Sequence, residues 1–362
     1  MSTPAPLSTA SGIWLVAERE LSSKIRSKSF LISTGILLLV ALAGILISGF
    51  TSANPEATKV AATSQTASIV SALPDVEVTE VADRGEAEEL VRSGDVEAAV
   101  LPGDGATGYT IIALENAPGS LVSGLSVSPD VEILEPATTN PLLRYFIAIG
   151  FGLVFLMAAS TFGGTIAQSV VEEKQTRVVE ILLSSISART LLAGKVIGNT
   201  ILAMAQILAI AAVATIGLIV TGQNEVLSSL GAPIVWFAVF FLFGFVLLAS
   251  LFAAAASMVS RQEDVGSTTM PITMLVMAPY ILVIVFNDNS LVLTIMSYVP
   301  FSAPVGMPMR LFVGEAQWWE PLLSLVILLA SCVAAIAIGA KIYENSLLRM
   351  GGKVKLAEAL RG

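Results

Sequence analysis

Histidine is absent from the 362-residue chain, and cysteine occurs once, at Cys332. The first absence takes away the commonest general base, proton switch and zinc ligand, which argues against an intramembrane hydrolase and against a metal site. The second leaves neither a disulfide framework nor a thiol metal site, and no redox inference follows from it. Charge is scarce as well: 13% of residues are charged against 55% hydrophobic, with a mean hydropathy of +0.82. That balance lies far outside the range of a soluble globular domain, so the chain reads as an integral membrane protein. A phosphate loop of the G-x-x-x-x-G-K-[ST] kind is also missing, because Gly194-Lys195 is followed by Val196 and Arg189 stands where the first glycine belongs. The chain therefore has no nucleotide-binding site by that route and is not expected to be an enzyme.

What is present is a succession of apolar runs. Residues 1–29 open with a small polar segment, Met1 to Ser11, that reads as disordered, followed by an amphipathic stretch with Trp14, Ala17, Leu21 and Ile25 on one side and Arg19, Ser22 and Arg26 on the other. Such a stretch predicts an interfacial helix on a basic surface. Residues 30–50 form the first span, long enough to cross a ~30 Å hydrocarbon core at 1.5 Å per residue. Residues 51–141 then carry fifteen acidic and three basic side chains, so the overall net charge of −9 is concentrated in this segment. Strands are predicted at Val76 to Val81, Asp95 to Pro102, Gly108 to Asn116 and Val131 to Pro136, with a helix from Arg84 to Gly94, which together give a small α/β domain. Its clustered Glu86, Glu88 and Glu89 match no calcium loop and read as a solvated surface.

Five further spans are predicted within residues 142–341: Leu142 to Ser169, Val196 to Thr221, Pro233 to Ser260, Thr268 to Phe286 and Pro321 to Ala340. None has an Asp or Glu at its centre, which disfavours an ion-coupled carrier. Asn199, Thr200 and Gln206 are the candidate pathway residues, with hydrogen bonding between helices as the plainer alternative. Between the last two spans, Leu291 to Val299 is too short to cross, and Pro300, Pro304 and Pro308 are expected to break a helix. A re-entrant hairpin fits that pattern. Residues 342–362 form a basic tail. The expected fold is an α-helical polytopic membrane protein of six transmembrane helices, with interfacial helices, a re-entrant element and an α/β domain between the first two spans.

The most informative stretch lies between the second and third spans, about residues 171–192. Taken as one helix, it puts Val171, Val178, Val179, Leu182, Leu183 and Ile186 on one face, and Glu173, Arg177, Glu180 and Ser184 on the other. Glu173 with Arg177, and Arg177 with Glu180, are spaced to pair along the wet face. The run E-E-K-x-x-R-x-x-E-I-L-L-S-S, followed by L-L-A-G-K-V-I-G, resembles the signature of permease subunits of the second family of ATP-binding-cassette exporters, and is most similar to the NatB-like sodium-efflux branch. The resemblance implies that this segment is a cytosolic coupling helix docking on a separate ATPase, with Glu172, Glu173, Lys174, Arg177, Glu180 and Lys195 as coupling residues. It further implies an elbow helix that helps to seat the ATPase, carrying Trp14, Arg19, Leu21 and Arg26, and an outer re-entrant element marked by Pro300, Ser302, Pro304 and Arg310. ATP and Mg would be bound by the partner dimer and not by this chain. Two permease halves, identical or not, are implied.

Charge bears on topology independently. With both termini cytoplasmic, fourteen Lys and Arg fall inside and five outside, as the positive-inside rule requires. This places residues 51–141 outside a plasma membrane and the coupling segment inside. The expected function is that of a permease coupling ATP hydrolysis by a partner to export of a substrate, sodium on the resemblance. The same architecture suits export of a drug, peptide or lipid, and a membrane-anchored ectodomain scaffold is the alternative from another class. Membrane lipids and the ATPase are the expected partners; nucleic acid is not.

Overall fold

The computed structural model describes residues 8–53, 57–103, 107–114, 117–125, 141–349, 352 and 354–361. The chain divides into two compact units, one made of Met1–Leu46 and Ala137–Gly362 and the other of Ile47–Pro136. In the first, α1 (Thr9–Ile25) precedes the apolar α2 (Lys28–Ala53). The polar opening segment is helical where it is described, because the Ser8 hydroxyl accepts the Ser11 amide at 3.2 Å and so caps the otherwise unpartnered first turn of α1. Thr9–Ile25 and Phe30–Leu46 meet at a bend of 68°.

The second unit comprises β1 (Thr58–Ala62), α3 (Ala67–Val70), β2 (Val76–Glu80), α4 (Arg84–Ser93), β3 (Ala98–Pro102), β4 (Tyr109–Ala113) and α5 (Gly119–Leu125). The sheet order is β2-β1-β3-β4, with β1 parallel to both β2 and β3, and β4 antiparallel to β3. The strand period of two divides the core. Val60, Ala62, Ala98 and Val100 pack with Val70, Leu121 and Leu125 on one face, while Ala61, Ala99 and Leu101 pack with Ala87 and Val91 on the other. Gly94, at φ 81°, ends α4 in the left-handed conformation that glycine adopts without a Cβ penalty. Glu88 accepts from Arg84 and Arg92, and these bonds hold its carboxyl below the ordinary range although burial acts weakly against them. The central β1 was not predicted, and the run Val131 to Pro136 lies outside the described residues.

The remainder of the first unit is helical: α6 (Pro141–Gln175), α7 (Val178–Leu183), α8 (Ala188–Val220), α9 (Asn224–Ser257), a 3-10 turn (Gln262–Asp264), α10 (Val265–Val285), α11 (Ser290–Tyr298), α12 (Ala303–Val313), α13 (Glu320–Leu347) and α14 (Leu356–Arg361). Among the described residues, five segments are long and apolar enough to cross a membrane: Leu142–Gln175, Ala188–Val220, Asn224–Ser257, Gln262–Val285 and Glu320–Leu347. The expected six is reached only if the bent pair of α1 and α2 counts as one span. Several helices run past the apolar stretches that announced them, because polar residues at each end continue the backbone ladder; α8 starts at Ala188 instead of Val196, and Pro233 lies inside α9 instead of starting it. Along α9, Phe237, Phe241 and Phe245 recur at one turn and meet Phe151, Phe155 and Phe162 of α6, with ring centroids 5.0, 5.7 and 6.1 Å apart. Of the three prolines expected to break the hairpin helix, only Pro300 sits in the break. Pro304 occupies the first turn of α12, where its missing N–H costs nothing, and Pro308 lies inside that helix.

Helix α1 lies along the start of α8. A Cβ added at Gly198 would come within 2.9 Å of the Ala17 carbonyl and 3.0 Å of the Glu20 Cβ, and one added at Gly194 would collide with Val16. The G-x-x-x-G spacing of these two glycines therefore forms the groove that receives α1. Substituting Gly12→Cys with Thr190→Cys, residues in contact across this seam, is expected to give a disulfide in the full-length protein. Adding Gly194→Leu should abolish that crosslink, as judged by gel mobility under non-reducing conditions; an unchanged crosslink would contradict the packing.

Candidate functional site

Helix α6 ends at Gln175 because Arg177 takes φ 59°, a left-handed conformation rare for a residue with a Cβ. The segment predicted as one helix over 171–192 is thus three pieces: the end of α6, the six-residue α7 and the beginning of α8, which Ser187 caps by accepting the Thr190 amide at 3.2 Å. Most of the predicted two-faced pattern survives the break, although it assumed one uninterrupted helical pitch. Val171 and Val179 are buried and Leu182, Leu183 and Ile186 half-buried, as that apolar face requires, whereas Val178 is exposed; Ile181, which lies off that face, is 71% exposed. Glu172, Arg177, Glu180 and Ser184 are exposed.

Glu173 is not on that wet face. It is buried and bonded to Arg19, and its Oε2 lies 3.0 Å from the Lys195 ammonium. No Glu173–Arg177 or Arg177–Glu180 ion pair forms among the described residues. Lys195 is fully buried; its Nζ also contacts Glu20 Oε1 at 3.0 Å and the Ser169 hydroxyl. Arg19 lies 3.4 Å from Glu20 as well. Two cations and two carboxylates from α1, α6 and α8 thereby form one neutral cluster, in which each buried charge has an opposite partner. Burial alone would raise the Glu20 carboxyl, but Lys195 and then Arg19 hold it below its ordinary value.

Lys174, the next residue, points elsewhere. Its ammonium, fully buried, donates to the Ser257 carbonyl at 2.7 Å and the Ser346 carbonyl at 2.9 Å, in the last turns of α9 and α13. It thus satisfies carbonyls that two helix ends leave open, where the helix dipole favours a cation. Arg189 adds a two-pronged bond to Glu344 of α13 at 2.7 and 3.0 Å. So of the six residues singled out for outward coupling, Glu173, Lys174 and Lys195 face inward and tie five helices together.

The elbow residues divide in the same way. The buried stripe of α1 is Gly12, Val16, Ala17 and Glu20, not the face led by Trp14 and Ile25, which are 56% and 53% exposed. Leu21 is half-buried, and Arg26 is exposed. Within α8, Asn199 and Thr200 are buried but bond to carbonyls one turn back, Lys195 and Val196, and so do not supply the hydrogen bonds between helices that were their plainer reading; Gln206 is also buried. At the end of the bundle where α13 begins, Arg310 donates to both Glu320 oxygens at 3.1 and 3.0 Å and to Ser297, while Tyr298 donates to Glu320 at 3.0 Å. The Ser302 hydroxyl donates to the Met296 carbonyl at 2.6 Å, so α11 and α12 are pinned to each other and to α13. Pro300 and Pro304 flank that pin. Sequence reasoning missed Glu20, Ser169, Glu320 and Glu344; the available signal for Glu20 was a carboxylate spaced with Gly12, Val16 and Ala17 on a small-residue face.

Among the described residues, no group of three or more Asp, Glu, Cys or His is arranged to hold a metal ion. A family model described as "ABC-2 family transporter protein" matches residues 28–341. An uncharacterized protein from Methanocaldococcus jannaschii is 30% identical over 57% of this chain and 51% of its own length. The uncharacterized protein YhaP from Bacillus subtilis is 30% identical over 55% of this chain and 52% of its own length. The match thus spans about half the length of these curated relatives. No solved structure matches.

Replacing Lys195→Met leaves Glu20 and Glu173 buried without their ammonium, at an expected cost of about 3–5 kcal/mol. Adding Glu20→Gln should recover part of that loss, because the two residues belong to one network. Denaturant unfolding of the full-length protein in detergent measures both, and strictly additive effects would dissolve the cluster as a unit.

Proposed function

The chain belongs to the ABC-2 transporter family, and from that premise we propose that it is the permease of an ATP-driven exporter whose ATPase is a separate polypeptide. The carrying observation is α7, with Glu180, Ile181 and Ser184 open to a partner, joining α6 to α8, the two helices that a paired buried charge cluster ties together through Glu173 and Lys195. A short accessible helix between two helices that are tied together is what a force-receiving contact needs. Arg177 and Glu172 border this surface. The inward-facing Glu173, Lys174 and Lys195 carry the displacement on to α1, α8, α9 and α13 instead of touching the ATPase themselves. The fourteen-to-five distribution of basic residues supports an orientation with α7 and both termini in the cytoplasm and the acidic α/β unit outside the plasma membrane.

Mechanistically, ATP binding closes two ATPase subunits, α7 is displaced, and the helices joined at the cluster move with it, which changes access to a pathway between two permease halves. Sodium is the cargo on the likeness to the NatB-like branch. Buried charge in the described part of the helical unit gathers in two places, at Glu20, Glu173, Lys174 and Lys195 and at Arg310 and Glu320, near helix ends. An amphipathic drug, peptide or lipid suits such an interior as well as sodium does, and parallel uptake assays with labelled sodium and a lipophilic cation in inverted vesicles separate the two.

Reversing the charge at Glu180→Lys, together with Ile181→Ser, is expected to lower ATP-dependent export by about tenfold, within the usual range of coupling energies, while membrane insertion stays intact. Reconstitution with the cognate ATPase checks this. Full export by the double variant would remove α7 from the coupling role.

A further inference from the structure

Beyond the coupling surface, a cavity of about 530 Å³ opens where α6 and α9 end and α10 begins, lined by Lys174, Gln175, Arg177, Ser260, Arg261 and Asp264. We propose that it binds the phosphate of an anionic phospholipid headgroup.

The argument starts from Lys174. Its ammonium is fully buried, and its bonded acceptors are two neutral carbonyls. Helix C-termini carry only about half a unit of negative charge each and are themselves partly solvated, so they neutralise a buried cation incompletely. Every other buried cation in the described helical unit, Lys195 and Arg310, has a carboxylate within 3.0 Å. Lys174 has none; Asp264, the single carboxylate on the cavity wall, takes part in no ion pair among the described residues. A buried charge lacking its counter-ion is costly, and an anion in the adjoining cavity supplies one.

The rest of the wall suits an oxyanion. Arg177 is held in a left-handed backbone conformation and pairs with no carboxylate among the described residues. Such strain marks a position that the surrounding structure enforces. Arg261 adds a second guanidinium, whose planar fork matches phosphate oxygens and whose one contact to the exposed Glu263, at 3.3 Å, leaves other N–H groups to donate; the buried Ser260 hydroxyl oxygen has no hydrogen-bond partner. Three cationic side chains face one acidic one. The lipid source is favoured over free phosphate by what lies next to the cavity. From Asp264 the chain continues directly into α10, whose exposed Met270 and Met274 offer an apolar track for an acyl chain.

Native mass spectrometry of the delipidated full-length protein, titrated separately with phosphatidylglycerol, phosphatidylcholine and inorganic phosphate, tests the assignment. Phosphatidylglycerol is expected to bind at least about tenfold more tightly than phosphatidylcholine. The exposed pair Arg177→Gln with Arg261→Gln should remove that preference, and Arg84→Gln in the α/β unit should keep it. Equal binding of the two lipids, or an undiminished preference in the double variant, would overturn the proposal. Inorganic phosphate bound as tightly as phosphatidylglycerol and lost in the same variant would replace the lipid with a soluble anion. Loss of ATPase co-purification with lipid preference unchanged would assign these arginines to the protein partner instead.

Discussion

A single ammonium inside the protein sets the arrangement of this end of the bundle. Lys195 has no access to water, and its charge is tolerable only because Glu20, Glu173 and Ser169 converge on it from other helices. Those partners have to be close, and the residues on either side of Lys195 make them so. Gly194 and Gly198 let the α1 backbone lie against α8, which brings Glu20 within reach, so one short motif supplies both the charge and the room for its neutralisation. Losing either part would leave the other without purpose.

From that fixed point the adjacent Glu173 and Lys174 divide α6 between two sets of neighbours. Glu173 holds α1 and α8; Lys174 holds the ends of α9 and α13 through backbone carbonyls. The opposite end of α13 is locked by Arg310 and Glu320. Between these polar junctions the α6–α9 contact is made by phenylalanine rings, which resist sliding through shape rather than charge. On the proposed reading, displacement enters through α7 and spreads from one residue pair into separate sets of helices.

Much of this was legible beforehand, and what failed did so for identifiable reasons. In the acidic unit, β2 and the helix ending at Gly94 were plain because alternation and a terminal glycine are local signals. The central β1 was not, because Thr58–Ala62 is buried through small residues such as Ala61 and Ala62 that give no hydrophobic period. In the helical unit, the apolar runs marked the spans but not their ends, since Ala188–Lys195 and Val170–Gln175 continue helices through polar sequence. The stretch expected to couple to a partner was read as one helix, and it is three pieces. A helical wheel drawn from local sequence does not see that the last turns of α6 are covered on several sides, with Val171, Glu173 and Lys174 all buried, so Glu173 was assigned to the wrong face. Its true partners, Arg19 and Lys195, are distant in sequence, and no local pattern could have named them.

The two prolines inside α10 have a separate bearing. Pro271 and Pro279 lack the N–H groups that would have bonded to the Ser267 and Leu275 carbonyls, so this helix is interrupted twice within its span. One end of it adjoins the charged turn at Gln262–Asp264, and the other leads into the α11–α12 hairpin. A rod with two joints bends more readily than its neighbours, which concentrates the compliance of the bundle in the segment connecting its opposite polar ends.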